Sequence, residues 1–122
     1  MNRVTHFDLT SSNPEKAAEF YNRVFGWKFK SWSGDGMDYW MINTGRGNGI
    51  NGGLSRKDKA MGPAITIEVK SLKNTLEKIE QMGGRVTSEI MPITGIGWFA
   101  TFEDKDKNAF GLMQSDKKAK QM

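Results

Sequence analysis

Hydrophobic and polar positions alternate with a period of two over residues 4–10 (VTHFDLT), which predicts a β-strand. The period then lengthens. Ala17, Phe20, Tyr21 and Val24 recur at i, i+3, i+4 and i+7, the apolar stripe of a helix. Asn13 is a good N-cap because its side-chain oxygen accepts a first-turn N–H. Pro14 suits the first helical position, where an N–H has no partner, and Gly26 fits the C-cap. Three strand-like segments follow, at 27–32, 37–43 and roughly 49–55. Glycine-rich turns at 34–36 and 45–47 separate them.

The pattern then restarts. Residues 64–69 (AITIEV) read as a strand, Ser71 as an N-cap, and Leu72, Thr75, Leu76 and Ile79 as a second helical stripe. Gly83-Gly84 ends that helix, and strands follow at 85–90, 98–103 and 109–114. NPEKAAEFYNRVFGWKF aligns without a gap on SLKNTLEKIEQMGGRVT at a shift of about 58 residues. The expected fold is therefore α+β: tandem βαβββ modules forming an eight-stranded, cup-shaped sheet with two flanking helices. One domain is expected over 1–115, with module one at about 1–58 and module two at about 59–115. Residues 116–122 read as a basic flexible tail.

Composition narrows the chemistry. The 122 residues suit one domain. Lys+Arg 18 against Asp+Glu 14 leave +4. Lys117, Lys118 and Lys120 against Asp116 put half of that excess at the C-terminal end, so no basic face for nucleic acid is expected. Cysteine is absent, which excludes thiolate chemistry and disulfides. His6 is the single histidine. The first residues lack the apolar run of a secretory signal, and no segment approaches the ~18 apolar residues of a membrane span. The expectation is a cytoplasmic protein with no membrane partner.

VTHFDL, AAEFYNRVFGW, MGGRV and EDKDKNAFGLMQ, in this tandem arrangement, resemble the vicinal oxygen chelate superfamily. That superfamily includes glyoxalase I, bleomycin-resistance proteins and extradiol dioxygenases. DYWMINTG, INGG and GIGWFATFED resemble a glyoxalase-like subgroup. The usual Asp-Pro-Asp-Gly-Asn turn is here Asp104-Lys105-Asp106-Lys107-Asn108, and both versions can turn through Asx geometry. The resemblance implies a homodimer. It also implies four metal ligands, His, Gln or Glu, on the first, fourth, fifth and eighth strands. Those positions fall here on His6, on Asn51 or Gly52, on Ala64 and on Gly111. Only His6 is a retained ligand, so no cofactor is expected beyond a weak or non-standard divalent metal. Standard glyoxalase I activity is not expected.

Alternation puts His6 and Asp8 on one face of the first strand, and Thr66 and Glu68 on one face of the fifth. His6, Asp8 and Glu68 are thus candidate catalytic residues, set against a reading in which Glu68 meets solvent and His6 bonds Asp8 or backbone. Tyr39, Trp40, Trp98 and Phe99 offer aromatic surface to a small organic ligand, or else fill the core. Gly52-Gly53 permits close approach of a ligand or strand, or marks a bulge. Thr66 and Asn51 complete the candidate ligand-binding set. The loop 91–97 could form a lid hinged at Gly95 and Gly97. The leading expectation is a protein that binds a small organic ligand in a mostly metal-free cup. The alternatives are a lyase, isomerase or dioxygenase with a site rebuilt around His6, Asp8 and Glu68, related to lactoylglutathione lyase, and a drug-sequestering resistance protein.

Overall fold

The computed structural model describes residues 1–32, 38–59 and 62–120. The turn expected at 34–36 and the start of the strand expected at 37 lie outside the described residues. The chain divides into two compact units, His6–Met61 and Met1–Thr5 with Gly62–Met122.

The strand β1 (Arg3–Ser11), which from His6 onward belongs to the unit His6–Met61, leads into α1 (Pro14–Phe25). The helix starts where Asn13 accepts from the Lys16 N–H, and it ends where Gly26 turns left-handed at φ 76°. The strands β2 (Lys28–Trp32), β3 (Tyr39–Asn43) and β4 (Asn51–Arg56) follow. The order is β2-β3-β4-β1, with β1 parallel to β4 and the other pairs antiparallel. α1 packs on β2 and β4. Ile42, Leu54 and Pro14 are fully buried.

The other unit repeats this plan. β5 (Ile65–Glu68) precedes α2 (Leu72–Gln81), whose Ser71 N-cap accepts from the Asn74 N–H. β6 (Arg85–Val86), β7 (Met91–Ile93), β8 (Gly97–Glu103) and β9 (Ala109–Ser115) complete it in the order β5-β9-β8-β6, with β7 also on β8. Val69, Leu72, Ala100 and Leu112 form its core, with Leu76, Ile79 and Trp98 packed against them. The matched caps Asn13 and Ser71, and the matched core residues Leu54 and Leu112, stand 58 positions apart.

Three expectations are corrected here. The fold is α+β, but nine strands occur among the described residues rather than eight, because the strand expected at 85–90 is short and Met91–Ile93, in the expected loop, forms a further strand. β6 covers only Arg85–Val86, and Met91–Ile93 pairs separately. The loop 91–97 is therefore a hairpin arm rather than a lid. Gly95 is its left-handed turn residue, and Gly97 lies in β8 opposite Ser115. Residues 116–120 are not a free tail. Ala119 is buried, its carbonyl accepts from the Gly95 N–H at 2.9 Å, and the Asp116 N–H donates to Ile96 O at 2.9 Å.

Candidate functional site

Strand register sorts the side chains by face. In the β1–β4 pair His6 lies opposite Asn51 and Asp8 opposite Gly53, and in the β3–β4 pair Tyr39 lies opposite Ser55. His6, Asp8, Asn51, Gly53 and Tyr39 thus share the face away from α1. Trp32, opposite Tyr39 on β2, joins them and meets its ring edge-on with centroids 6.1 Å apart.

Three of these side chains form a hydrogen-bonded chain. The Tyr39 hydroxyl donates to Asp8 Oδ1 at 2.7 Å. A carboxylate only accepts, so this bond uses the phenol's one proton. His6 Nε2, 3.0 Å from the same hydroxyl oxygen, is then the donor to it. His6 Nε2 also lies 3.4 Å from Asp8 Oδ1. The side chains of His6 and Asp8 remain 35% and 28% exposed, so the chain is open at both ends. Burial raises the Tyr39 pKa far above 10, and the Asp8 charge and hydrogen bond push it further. The phenol stays neutral and hydrogen-bonding across the physiological range.

Gly53 makes room for this arrangement. A Cβ there would lie 1.5 Å from the Tyr39 hydroxyl oxygen, so the phenol occupies the space a side chain would take. The close approach anticipated at Gly52-Gly53 is therefore made by protein side chains. At Gly52, on the opposite face, the Phe7 ring fills the same role, 2.7 Å from a would-be Cβ.

The remaining candidates separate by face and by unit. Trp40 is next to Tyr39 in sequence and so points to the α1 side. There it lies under the Arg56 guanidinium, 5.8 Å from the ring centroid, while Arg56 Nε donates to Asp38 Oδ2 at 2.6 Å. The Asp38 hydrogen bond is the main reason the Arg56 pKa is raised. Trp98 likewise packs on the α2-side core, and its indole N–H donates to Asp116 Oδ2 at 3.1 Å. Neither indole lies on the face of its strand that carries Tyr39 or Phe99. Asn51 shares a face with His6, but its Oδ1 accepts from the Thr44 N–H at 3.0 Å and the Thr44 hydroxyl at 3.2 Å. Glu68 belongs to the other unit, where it accepts from the Ser115 hydroxyl. Thr66 is buried there opposite Gly111, and a Cβ at Gly111 would meet Phe99 at 2.7 Å and Thr66 Oγ1 at 2.9 Å.

Sequence reasoning missed Trp32 as a site residue and the hydroxyl of Tyr39 as its centre. The available signal was parity. Tyr39 is an odd distance from Trp40, so one of the two must face away from the helix.

The donor set does not fit the four-ligand metal centre that the resemblance implies. Ala64 and Gly111 have no side-chain donor, and Asn51 Oδ1 already takes two hydrogen bonds. Among the described residues, no group of three His, Cys, Asp or Glu side chains is placed to hold an ion.

The family model for the Glyoxalase/Bleomycin resistance protein/Dioxygenase superfamily matches residues 3–112. A glyoxylase-like domain-containing protein of Didymella fabae is 24% identical over 117 residues, covering 90% of this chain and 91% of its own. A hypothetical protein from Bacillus halodurans C-125 superposes with a TM-score of 0.73 at 12% identity, over 98% of both chains. Methylmalonyl-CoA epimerase from Mycobacterium tuberculosis superposes with a TM-score of 0.71 at 13% identity, over 93% of this chain and 87% of its own. At these identities the structural likenesses speak for the fold alone.

Proposed function

The chain belongs to the Glyoxalase/Bleomycin resistance protein/Dioxygenase superfamily, and from that premise we propose that it binds a small organic molecule at His6, Asp8 and Tyr39 without the four-ligand metal centre. The observation that carries the reading is the part-exposed chain His6 Nε2, Tyr39 hydroxyl, Asp8 Oδ1 on a sheet face away from the helix. The ligand that suits it offers a donor to the Asp8 carboxylate and an aromatic or apolar part to Trp32 and Tyr39. The protein works in the cytoplasm as a homodimer.

The test uses aromatic alcohols, with benzyl alcohol as the smallest probe, followed by heteronuclear NMR on the full chain. Expected are shift changes centred on His6, Asp8 and Tyr39, and affinity at least ~10-fold weaker in Asp8→Asn, the loss of one charged hydrogen-bond acceptor. Shift changes centred elsewhere, or unchanged affinity in both Asp8→Asn and Tyr39→Phe, would overturn the reading.

The same hydrogen-bonded chain supports a second reading, a lyase, isomerase or dioxygenase in which Asp8 and His6 move a proton through the Tyr39 hydroxyl. The structural neighbours include an enzyme, methylmalonyl-CoA epimerase from Mycobacterium tuberculosis. Turnover with a pH–rate limb that disappears in His6→Gln would establish this reading. Saturable binding with no turnover would leave the first.

A further inference from the structure

The chain of His6, Tyr39 and Asp8 spends its protons internally. The Tyr39 hydroxyl gives its proton to Asp8 Oδ1, and His6 Nε2 gives its own to the Tyr39 oxygen. In the neutral imidazole the other nitrogen, Nδ1, then holds a bare lone pair. Asp8 Oδ2 is an acceptor as well. Neither atom has a hydrogen-bond partner among the described residues. No buried side-chain nitrogen or oxygen among those residues lacks a partner, so solvent reaches both open lone pairs. The chain therefore ends outward in two acceptors, one on a carboxylate, and offers a ligand no proton.

We propose that this site selects a protonated primary amine carried on an aromatic group, an arylalkylammonium, over neutral alcohols and over carboxylates. The proposal rests on the reading of His6, Asp8 and Tyr39 as a binding site, and adds the charge and hydrogen-bonding class of what is bound. An ammonium has three donors and no acceptor, so it suits a site that ends in Asp8 Oδ2 and His6 Nδ1. An alcohol has one donor and satisfies one of the two ends. A carboxylate brings no donor and meets the like charge of Asp8. Trp32 and Tyr39, edge-on with centroids 6.1 Å apart, supply ring surface for the aryl group, and a cation within about 6 Å of a ring centroid gains further. Lys28 and Lys30 share this face with Trp32 and are exposed on β2. In the order β2-β3-β4-β1 they stand three strand spacings from Asp8, about 14 Å between backbones. That exceeds the ~8 Å screening length of physiological salt, so their charges are largely screened from a cation held at Asp8.

Calorimetry and heteronuclear NMR on the full chain, at about pH 8 and ~0.15 M salt, test this with benzylammonium, benzyl alcohol and benzoate. Benzylammonium is expected to bind at least ~10-fold tighter than benzyl alcohol, its isostere, because charge-assisted hydrogen bonds are about twice as strong as neutral ones. Benzoate is expected to bind weakest. Asp8→Asn should bring benzylammonium to within ~3-fold of benzyl alcohol. His6 is the single histidine, so its nitrogen resonances are read without overlap. In the free wild-type protein Nε2 should carry the proton and Nδ1 none, and Nδ1 should shift when benzylammonium is added. Benzyl alcohol binding as tightly as benzylammonium, with shift changes at His6, Asp8 and Tyr39, overturns the amine proposal and leaves the binding site standing. An ammonium preference that survives Asp8→Asn, or a proton on Nδ1 in the free protein, also overturns it. Shift changes centred elsewhere with every probe overturn the site and the proposal together.

Discussion

Replacing Gly53 with alanine adds one methyl group at the centre of the candidate site, and its effect can be worked out from the structure. The backbone tolerates alanine there, because Gly53 is not among the positive-φ glycines. On backbone grounds alone Gly→Ala stabilises by ~0.4–1 kcal/mol, through reduced freedom of the unfolded chain. The new Cβ, however, would lie 1.5 Å from the Tyr39 hydroxyl oxygen and 2.0 Å from Cζ. No rotation of the methyl relieves that overlap, so the phenol must leave. Its departure breaks the 2.7 Å hydrogen bond to Asp8 and the 3.0 Å contact with His6. A hydrogen bond to a charged group contributes ~1.5–3 kcal/mol, and overpacking of a filled site costs ~1–3 kcal/mol. Gly53→Ala should therefore destabilise by about 1.5–5.5 kcal/mol net. The decisive measurement is a urea-denaturation cycle with Tyr39→Ala. Once the ring is gone the space is open, and Gly53→Ala should become neutral or stabilising by a few tenths of a kcal/mol. If the two changes add to within about 0.5 kcal/mol, the reasoning is refuted, because Tyr39 and Gly53 would not share that space.

Alkaline stability should report Tyr39 separately. Its folded pKa is raised above the unfolded value of 10.0, so its contribution is whole below pH 10 and falls away as pH rises beyond it. Stability of wild type should drop by up to about 1.4 kcal/mol per pH unit more steeply there than that of Tyr39→Phe; parallel curves would contradict a buried phenol. At the turn 104–108, the Asn108 amide and N–H hold Asp104 below its usual 3.8. Carbon-detected NMR titration should show Asp104 moving up toward 3.8 in Asn108→Ala, and the acid limb of stability should shift upward with it. An unmoved Asp104 would disconnect the two residues. At the C-terminal end, Ala119→Arg should undock residues 116–120, change Trp98 emission through loss of the Asp116 bond, and cost about 1–3 kcal/mol. Wild-type emission and stability in that variant would mean the segment is not anchored by Ala119. Protein purified without an affinity tag should bind Zn²⁺, Ni²⁺ or Co²⁺ only weakly by calorimetry. One-to-one binding that disappears in His6→Ala would show that other donors complete a site.

Much of the fold was legible because it is written twice. The caps Asn13 and Ser71, the helical stripes and the strand alternation each follow from local chemistry, and their repetition fixed the plan of both units. The site was less legible. Period-two alternation assigns neighbours to opposite faces but does not say which face meets the helix. The pairs Tyr39-Trp40 and Trp98-Phe99 each hold one residue of each kind, and the sequence alone left all four in the same aromatic lining. The register decides, placing Trp40 opposite Leu54 and Trp98 opposite Gln114 on the helix sides. The tail misled for a different reason. Lys117, Lys118 and Lys120 are exposed as their charge suggests, yet the small Ala119 among them is buried, and a single methyl leaves little trace in a composition argument.

Register also aligns the two halves more closely than sequence spacing does. Tyr39 stands opposite Ser55 and Phe99 opposite Met113. Positions 55 and 113 differ by the repeat offset of 58, whereas 39 and 99 differ by 60, so two extra residues precede β8 in the second half. Tyr39 and Phe99 are therefore equivalent positions. So are Gly53 and Gly111, and likewise Asp8 and Thr66, each opposite its glycine in a parallel pair. In both halves an aromatic ring fills the place of a glycine side chain. In the first, the ring carries a hydroxyl, and Asp8 and His6 hydrogen-bond to it. In the second, the ring is Phe99, the acid's place holds the buried Thr66 and the imidazole's place holds Ala64. The backbone device of ring over glycine is thus a packing solution common to both halves and needs no ligand to explain it. The polar chain laid over it occurs once. A hydroxyl buried for packing alone would gain nothing over the phenylalanine that serves the second half, since the hydroxyl must be desolvated and then matched. Tyr39, Asp8 and His6 bear that cost together on a partly exposed sheet face, which is why the proposed binding chemistry is placed in this half.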